Sequence, residues 1–158
     1  MKRTLITSAI LALLSLPAAA PAQSANDHSG HAMDHGSMAM NPAKTIMLGE
    51  QTVEGIKGMA HLNDVGAMMA QMGQKENYHF MIMFSDVKTG AAIEQGTVAV
   101  KIIDPKTSQP GEAIALMGMG NHFGADIVLP AKGEYHFQVG SKLSDGTKRQ
   151  FTFHYTVQ

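Results

Sequence analysis

Residues 28 to 40, HSGHAMDHGSMAM, hold three histidines and three methionines in thirteen positions. Imidazole binds Cu(II), Zn(II) and Ni(II), whereas the thioether of methionine prefers Cu(I). The interleaved pattern therefore predicts a metal-binding segment, and copper suits both ligand types. The alternative is a solvated tail that happens to be rich in histidine. The candidate ligands of this segment are His28, His31, His35, Met33, Met38 and Met40.

A second group of possible ligands lies in LMGMGNHFGADIVLP, residues 116 to 130. Met117 and Met119 share one side if this stretch is a strand, because side chains alternate along a strand. His122 follows at a predicted corner. Two thioethers and one imidazole within six residues can supply three ligands of a soft metal site. The alternative is a buried strand end followed by a turn histidine.

The remaining ligands of such a site have to come from elsewhere in the chain. In YHFMIMF, residues 78 to 84, His79 lies on one face of a predicted central strand and the phenylalanines lie on the other. Met59 and His61 flank one alanine and share a side in a strand. A lone histidine on such a strand is more often a hydrogen-bonded structural residue. His136 and His154 alternate with aromatic residues and are predicted to lie on the surface.

The N-terminus resembles an export signal. Lys2 and Arg3 precede an apolar run of about 12 residues, and a membrane span needs about 20. The sequence Ala20-Pro21-Ala22 fits a cleavage site before Gln23, so residues 1–22 are predicted to be a cleavable secretory signal peptide. We therefore expect an exported, periplasmic protein with no membrane span in the mature chain.

The rest of the chain divides into a polar segment and a β-rich domain. Residues 23–43 show no period of 2 or 3.6, and we expect a flexible His/Met-rich tail. Residues 44–76 predict one or two irregular strands and a short helix capped by Asp64, with Val65, Met68, Met69 and Met72 on one face and Gly73 as its stop. Residues 77–158 alternate apolar and polar side chains between Gly- and Pro-containing turns.

These patterns predict an all-β fold, an immunoglobulin-like antiparallel β-sandwich of about seven strands with one short helix, over residues 44–158. No 10- to 15-residue helical segments alternate with the strands, so a parallel α/β fold is disfavoured. Cysteine is absent, so the fold has no disulfide and any soft ligand has to be a methionine.

Composition and motifs also restrict the function. The chain has 12 Lys and Arg against 13 Asp and Glu, which argues against nucleic-acid binding. The sequence lacks G-x-S-x-G, P-loop, H-E-x-x-H and G-x-G-x-x-G motifs, so a non-enzymatic role is predicted.

The segments YHFMIMFSDVKTGAAIEQGTVAVKIIDP, NHFGADIVLPAKGEYHFQV and FTFHYTV together resemble bacterial periplasmic β-sandwich proteins of the YtkA-like kind. In those proteins a His-containing strand precedes a D-x-x-T-G turn, here Asp86 to Gly90. A G-x-Y strand lies near the end, here Gly133 to Tyr135. The resemblance covers about residues 77–158.

MGNHFGADIVLP is similar to a segment of the P19-type periplasmic copper-binding proteins of bacterial iron-uptake systems. The resemblance implies copper binding by His122 and by either Met117 or Met119. The spacing between methionine and histidine is shorter here than in that family. Met59 and His61 are the candidates for the contribution from the N-terminal half.

The combined prediction is a periplasmic protein that binds copper in the Cu(I) or Cu(II) state. The tail would capture the ion, and the folded site would hold it or pass it to a metal-transport partner in the periplasm or inner membrane. The alternative is an interaction or accessory module in which Met and His residues are structural.

Overall fold

A computed structural model of the chain describes residues 45–158, and all structural statements refer to these residues. They form nine strands and one helix: β1 Thr45–Val53, β2 Ile56–Asp64, α1 Gly66–Gln71, β3 Tyr78–Asp86, β4 Ala92–Ile93, β5 Gly96–Ile103, β6 Ile114–Gly118, β7 Phe123–Ile127, β8 Gly133–Leu143 and β9 Lys148–Val157. In this part of the chain, no helix has the length and apolar character needed to span a bilayer. The predicted signal peptide and tail, with the six tail ligands, lie outside the described residues.

The strands follow one continuous antiparallel path in the order β1-β2-β3-β7-β6-β5-β8-β9, and the two-residue β4 pairs with β3. The two end strands approach each other, since the Thr152 backbone N–H on β9 donates to the Gln51 side-chain oxygen on β1 at 2.8 Å. Gly58 on β2 also lies against Phe151 of β9. The sheet is therefore nearly closed into a barrel.

The core is built from the side chains on the inner face of the sheet, which are every second residue along each strand. Phe80 of β3 stacks on Phe137 of β8 with ring centroids 5.2 Å apart, and Phe84 contacts Phe151 at 5.3 Å. These rings are at most 2% exposed. Burial of each such side chain contributes about 1.5–3 kcal/mol to the free energy of folding. Because the contacts run from β3 to β8 and β9, this packing joins the two halves of the sheet. The sequence places these aromatic residues at alternate positions along the strands, and side chains of a strand point alternately to opposite faces, so they lie on the inner face.

The structure confirms the all-β class and the single short helix. It has nine strands rather than about seven, because the segment predicted to be irregular forms the two nine-residue strands β1 and β2 and because β4 is a separate short strand. A bulge between Met47 and Gly49 and a turn at Gly55, where φ is +78°, let these strands pair despite their glycines. The finer prediction of an immunoglobulin-like sandwich stays a prediction.

The helix differs from its predicted form. Asp64 accepts a hydrogen bond from the Gly66 N–H at 3.0 Å, but α1 begins at Gly66 and has no side-chain cap at Val65. Met69 is buried, whereas Met68 and Met72 are 38% and 54% exposed, so the residues of the predicted helical face do not all pack against the sheet. A helix of six residues has too few turns to cover an apolar face of four side chains.

Tyr135 fastens the connection between β7 and β8 to the core. Its hydroxyl accepts a hydrogen bond from the Ala131 N–H at 2.9 Å and donates to the Ala131 carbonyl at 3.0 Å. The side chain is 1% exposed. The Tyr135 hydroxyl therefore satisfies both the N–H and the carbonyl of Ala131. These groups are buried, so water cannot take the place of the hydroxyl.

We expect Tyr135→Phe to lower the free energy of unfolding by about 1–3 kcal/mol, because it leaves a buried N–H and carbonyl unpaired. Ser141→Ala is the matched control. Its hydroxyl is buried without a hydrogen-bond partner in the described residues, so its removal should cost less than about 0.5 kcal/mol. Urea unfolding monitored by circular dichroism measures both. Equal effects of the two substitutions would contradict the role of the Tyr135 hydroxyl.

Candidate metal centre

A row of possible ligands crosses the outer face of five adjacent strands. The register places Met47 of β1 opposite His61 of β2, His61 opposite Met81 of β3, Met81 opposite Gly124 of β7, and Gly124 opposite Met117 of β6. Residues directly opposite each other in an antiparallel pair share one face. The row therefore holds one imidazole and three thioethers, with a gap at the glycine.

The centre of this row is buried and its ends are open. His61 is 8% exposed and Met81 is 2% exposed, whereas Met47 and Met117 at the two ends are 60% and 69% exposed. A soft ion that meets either exposed thioether would have further sulfur and nitrogen ligands beside it. The arrangement suits capture at the surface followed by tighter binding at the centre.

Two more imidazoles lie on the same side of the sheet. The ring centroids of His79 on β3 and His122 in the β6–β7 turn are 6.1 Å apart, and the rings meet edge to face. The turn is held by a bond from the Met119 N–H to the His122 carbonyl at 2.8 Å. The pKa of His122 is lowered, first by burial and then by the nearby imidazoles of His79 and His61. Three histidines distant in sequence are thus neighbours.

The rings of His79 and His122 are both oriented through Nδ1. His79 Nδ1 lies 2.6 Å from the Asp126 carboxylate, and His122 Nδ1 lies 3.1 Å from the Asn121 side-chain oxygen. An ionised carboxylate only accepts, so His79 Nδ1 is the donor and Nε2 is left free to bind a metal. A carboxylate or amide oxygen behind a histidine is the usual support of a metal-binding imidazole.

Gly124 makes room for the His79 ring. A Cβ at this position would lie 2.7 Å from His79 Nε2, which is closer than real Cβ contacts. The ring therefore lies over the glycine, and its free nitrogen is in the gap between Met81 and Met117. The gap in the row of thioethers is filled by an imidazole from the neighbouring strand.

Asn63 adds an unpaired acceptor at the same place. Its side-chain oxygen is buried and has no hydrogen-bond partner within residues 45–158, and the register places Asn63 opposite His79. An unsatisfied buried oxygen costs about 1–3 kcal/mol. A metal ion or a water bound to it would satisfy this oxygen, so the residues present fit a metal.

The ligands are grouped but not closed around one point. Within residues 45–158, no three imidazole or carboxylate groups already stand in a metal-binding arrangement. Ligation by both His79 and His122 therefore requires a ring to turn, with thioethers completing the set.

The structure brings together most of the ligands predicted for the folded domain. His61, His79 and His122 are neighbours, and Met117 lies on their face of the sheet. Met119 does not continue the strand beside Met117, because β6 ends at Gly118 and the turn begins there.

Met59 lies two residues before His61 on the same face, opposite Met83 of β3. With Asn121, these two methionines line a cavity of about 270 Å³. Met59 is therefore one step along β2 from His61 and shares this cavity with Asn121, the residue before His122.

Sequence reasoning missed Met81, Met47, Asn63, Gly124 and Asp126. Met81 is two residues after His79, so the alternation of side chains along the strand already places it on the same face. The importance of Asp126 and Gly124 depends on the pairing of β3 with β7, which brings together residues more than 40 positions apart. No local pattern contains that information.

Comparison with known proteins supports the fold. No protein-family model matches the chain, and no curated protein matches it. Among solved structures, it is similar to a copper-bound variant of FetP from uropathogenic Escherichia coli strain F11, with a TM-score of 0.59 and 15% identity over 73% of this chain and 93% of that one. It is also similar to a DUF4426 family protein from Pseudomonas aeruginosa PAO1, with a TM-score of 0.50 and 11% identity over 68% of this chain and 94% of that one. The TM-scores indicate a shared fold, and at identities this low the likeness extends to the fold alone.

We expect Gly124→Ala to displace the His79 ring and to weaken metal binding about 10- to 100-fold, as loss of a supporting contact does at other metal sites. Gly140→Ala is the control, since a Cβ there meets no atom within 4 Å. NMR shifts of the His79 ring and a metal titration measure the two effects. Unchanged His79 signals in Gly124→Ala would contradict the role of this glycine.

We also expect the metal-free protein to lose stability as the pH falls below about 6.5. Burial lowers the pKa of both His61 and His122, although Glu50 opposes the shift at His61. The unfolded chain therefore binds protons at a higher pH than the folded chain, and the free energy of unfolding falls between the ordinary histidine pKa and the lowered ones.

Urea unfolding at pH 7.5, 6.0 and 5.0 tests this expectation. The pKa values of Asp86 and Asp145 are also lowered, the latter to about 2, so these groups titrate below the tested range. His122→Gln should flatten the pH dependence because it removes one of the two shifted groups. A wild-type stability that is constant from pH 7.5 to 5.0 would contradict the burial effect.

Proposed function

We propose that this protein binds copper through the outer face of β1, β2, β3, β6 and β7. The observation that carries the proposal is the pair of tethered histidines, His79 and His122, whose Nδ1 atoms are engaged while their Nε2 atoms remain available. His61 and Met117 complete a mixed nitrogen and sulfur set. Copper would supply a centre that accepts imidazole as Cu(II) and thioether as Cu(I).

The residues have separate tasks in this proposal. Met117 and Met47, exposed at the ends of the row, make the first contact with a soft ion. His61, whose pKa is lowered by burial, remains neutral at a pH where a free histidine is partly protonated. Neutral imidazole is the form that ligates, so burial keeps the site competent in mildly acidic surroundings. Asp126 holds the His79 ring through Nδ1, so that Nε2 faces the gap above Gly124.

The cellular setting is part of the same proposal. Residues 1–22 direct export to the periplasm, and the tail histidines and methionines collect the ion for the folded site. The YtkA-like and P19-type resemblances and the copper-bound structural relative agree with this role. The protein acts without catalysis and delivers its ion to a metal-transport partner. An immunoglobulin-like architecture, which the same resemblances imply, is also part of the proposal.

Copper titration of the full chain against a competing chelator tests the proposal. We expect His61→Ala and His122→Ala each to weaken Cu(II) binding at the folded site by about 100-fold, because each removes a ligand rather than a supporting group. The triple variant of His28, His31 and His35 to Ala should retain that site. Loss of tight binding only in the triple variant would transfer the function to the tail.

The thioether contribution is tested with Ag(I), a redox-stable substitute for Cu(I). Met117→Leu should weaken Ag(I) binding about tenfold or more, whereas Met72→Leu, at a similarly exposed methionine directly after α1, should have no effect. Absence of both Cu(II) and Ag(I) binding would overturn the proposal and favour an accessory module in which these residues are structural.

A further inference from the structure

A separate pair of histidines lies on the outer face of β8 and β9. His136 and His154 are directly opposite each other in the antiparallel register, and their ring centroids are 6.4 Å apart with planes inclined by 48°. The residues on either side of them, among them Phe137 and Phe153, point into the core. Because the core holds both backbones, the two imidazoles start from fixed positions on a rigid two-stranded base.

The surroundings of this pair leave it open to solvent. His154 is exposed and His136 is half-buried. On the other side of His136 the register places Ile103 of β5, which has no charge. Glu134 lies two residues before His136 on the same face, opposite Thr156. One carboxylate is thus within the neighbourhood of two imidazoles, and no Lys or Arg is directly opposite either histidine.

The ligand chemistry here differs from that of the candidate metal centre. All thirteen methionines of the chain occur at or before residue 119, so β8 and β9 contain none. Nitrogen and oxygen ligands in a tetragonal arrangement select Cu(II) or Ni(II), whereas Cu(I) requires softer sulfur. Opposite positions of an antiparallel pair have Cβ atoms about 4.5–5.5 Å apart, which lets two imidazoles reach one ion at about 2 Å from each nitrogen.

We infer that His136 and His154 form a second metal site, specific for divalent ions that prefer imidazole and strongest for Cu(II). The ion bridges β8 and β9, and water fills its remaining positions. The site is on the opposite half of the strand path from His61, His79 and His122, and its existence does not depend on the proposed function. With both sites, the protein binds Cu(I) only on the methionine-containing face and Cu(II) at His136 and His154 as well.

NMR of the full ¹⁵N-labelled chain during Cu(II) addition tests the inference, because paramagnetic broadening reports each site separately. We expect loss of the amide signals of residues 134–138 and 152–156. In His136→Ala and in His154→Ala, the Cu(II) concentration for half-maximal broadening of these signals should rise about tenfold or more. The double variant Gln138→Ala/Thr152→Ala, which changes the next opposite pair on the same face, should behave like the wild type.

His136→Gln provides a second variant that retains the size and polarity of a half-buried side chain, and unchanged signals of Phe80 and Phe137 verify its fold. Ag(I) should leave residues 134–138 and 152–156 unperturbed at concentrations that shift the methionine-containing face. Persistence of the Cu(II) broadening in the histidine variants, or its absence in the wild type, would overturn the second site.

The same titration separates the two proposals. Broadening around His136 and His154, with no change around His61, His79 and His122 on addition of either Cu(II) or Ag(I), would support the second site and reject the proposed function. Broadening around the three histidines alone would do the reverse.

Discussion

The strict alternation of side chains along β3 is the constraint on which the rest of the structure depends. Phe80, Ile82 and Phe84 point into the core and are at most 2% exposed, while His79 points to the opposite face. A shift of one residue in the pairing of this strand would exchange the two sets. Burial of the aromatic side opposes that shift and so fixes the position of the polar side. Hydrophobic packing thereby positions the candidate ligands without contacting a metal.

The candidate centre combines groups that would each be unfavourable in an ordinary sheet. Asn63 has a buried oxygen without a partner in the described residues, burial lowers the pKa of His61, and Gly124 gives up side-chain packing in the middle of a strand. Proteins retain such features where chemistry requires them, because elsewhere their cost of about 1 kcal/mol or more each is avoidable. Their convergence on the face that carries the thioethers is the strongest physical argument for a ligand there.

The two outer faces of the sheet have different chemistry. The face of β2, β3, β6 and β7 mixes imidazole with thioether, and the face of β8 and β9 offers imidazole and carboxylate. Metal selectivity in proteins is set by ligand type and geometry more than by raw affinity. Because β1, β2, β3 and β6 carry methionines and β8 and β9 carry none, the two faces present different ligand types to an ion.

The sequence by itself determined the all-β class, the short helix, the strand that carries His79 and the corner that carries His122, since these depend on local periodicity and turn residues. It also indicated which residue types could bind copper, because an absence of cysteine leaves only His and Met as soft or borderline ligands. The ordered pairing of β1 with β2 was not predictable, since its glycines are tolerated through a bulge and a turn that need neighbouring strands. Only the tertiary structure decided that Asp126 supports His79, that Gly124 makes room for it, and that His61 joins the group. Those relations follow from strand order and register, which are fixed by packing between residues far apart in the chain.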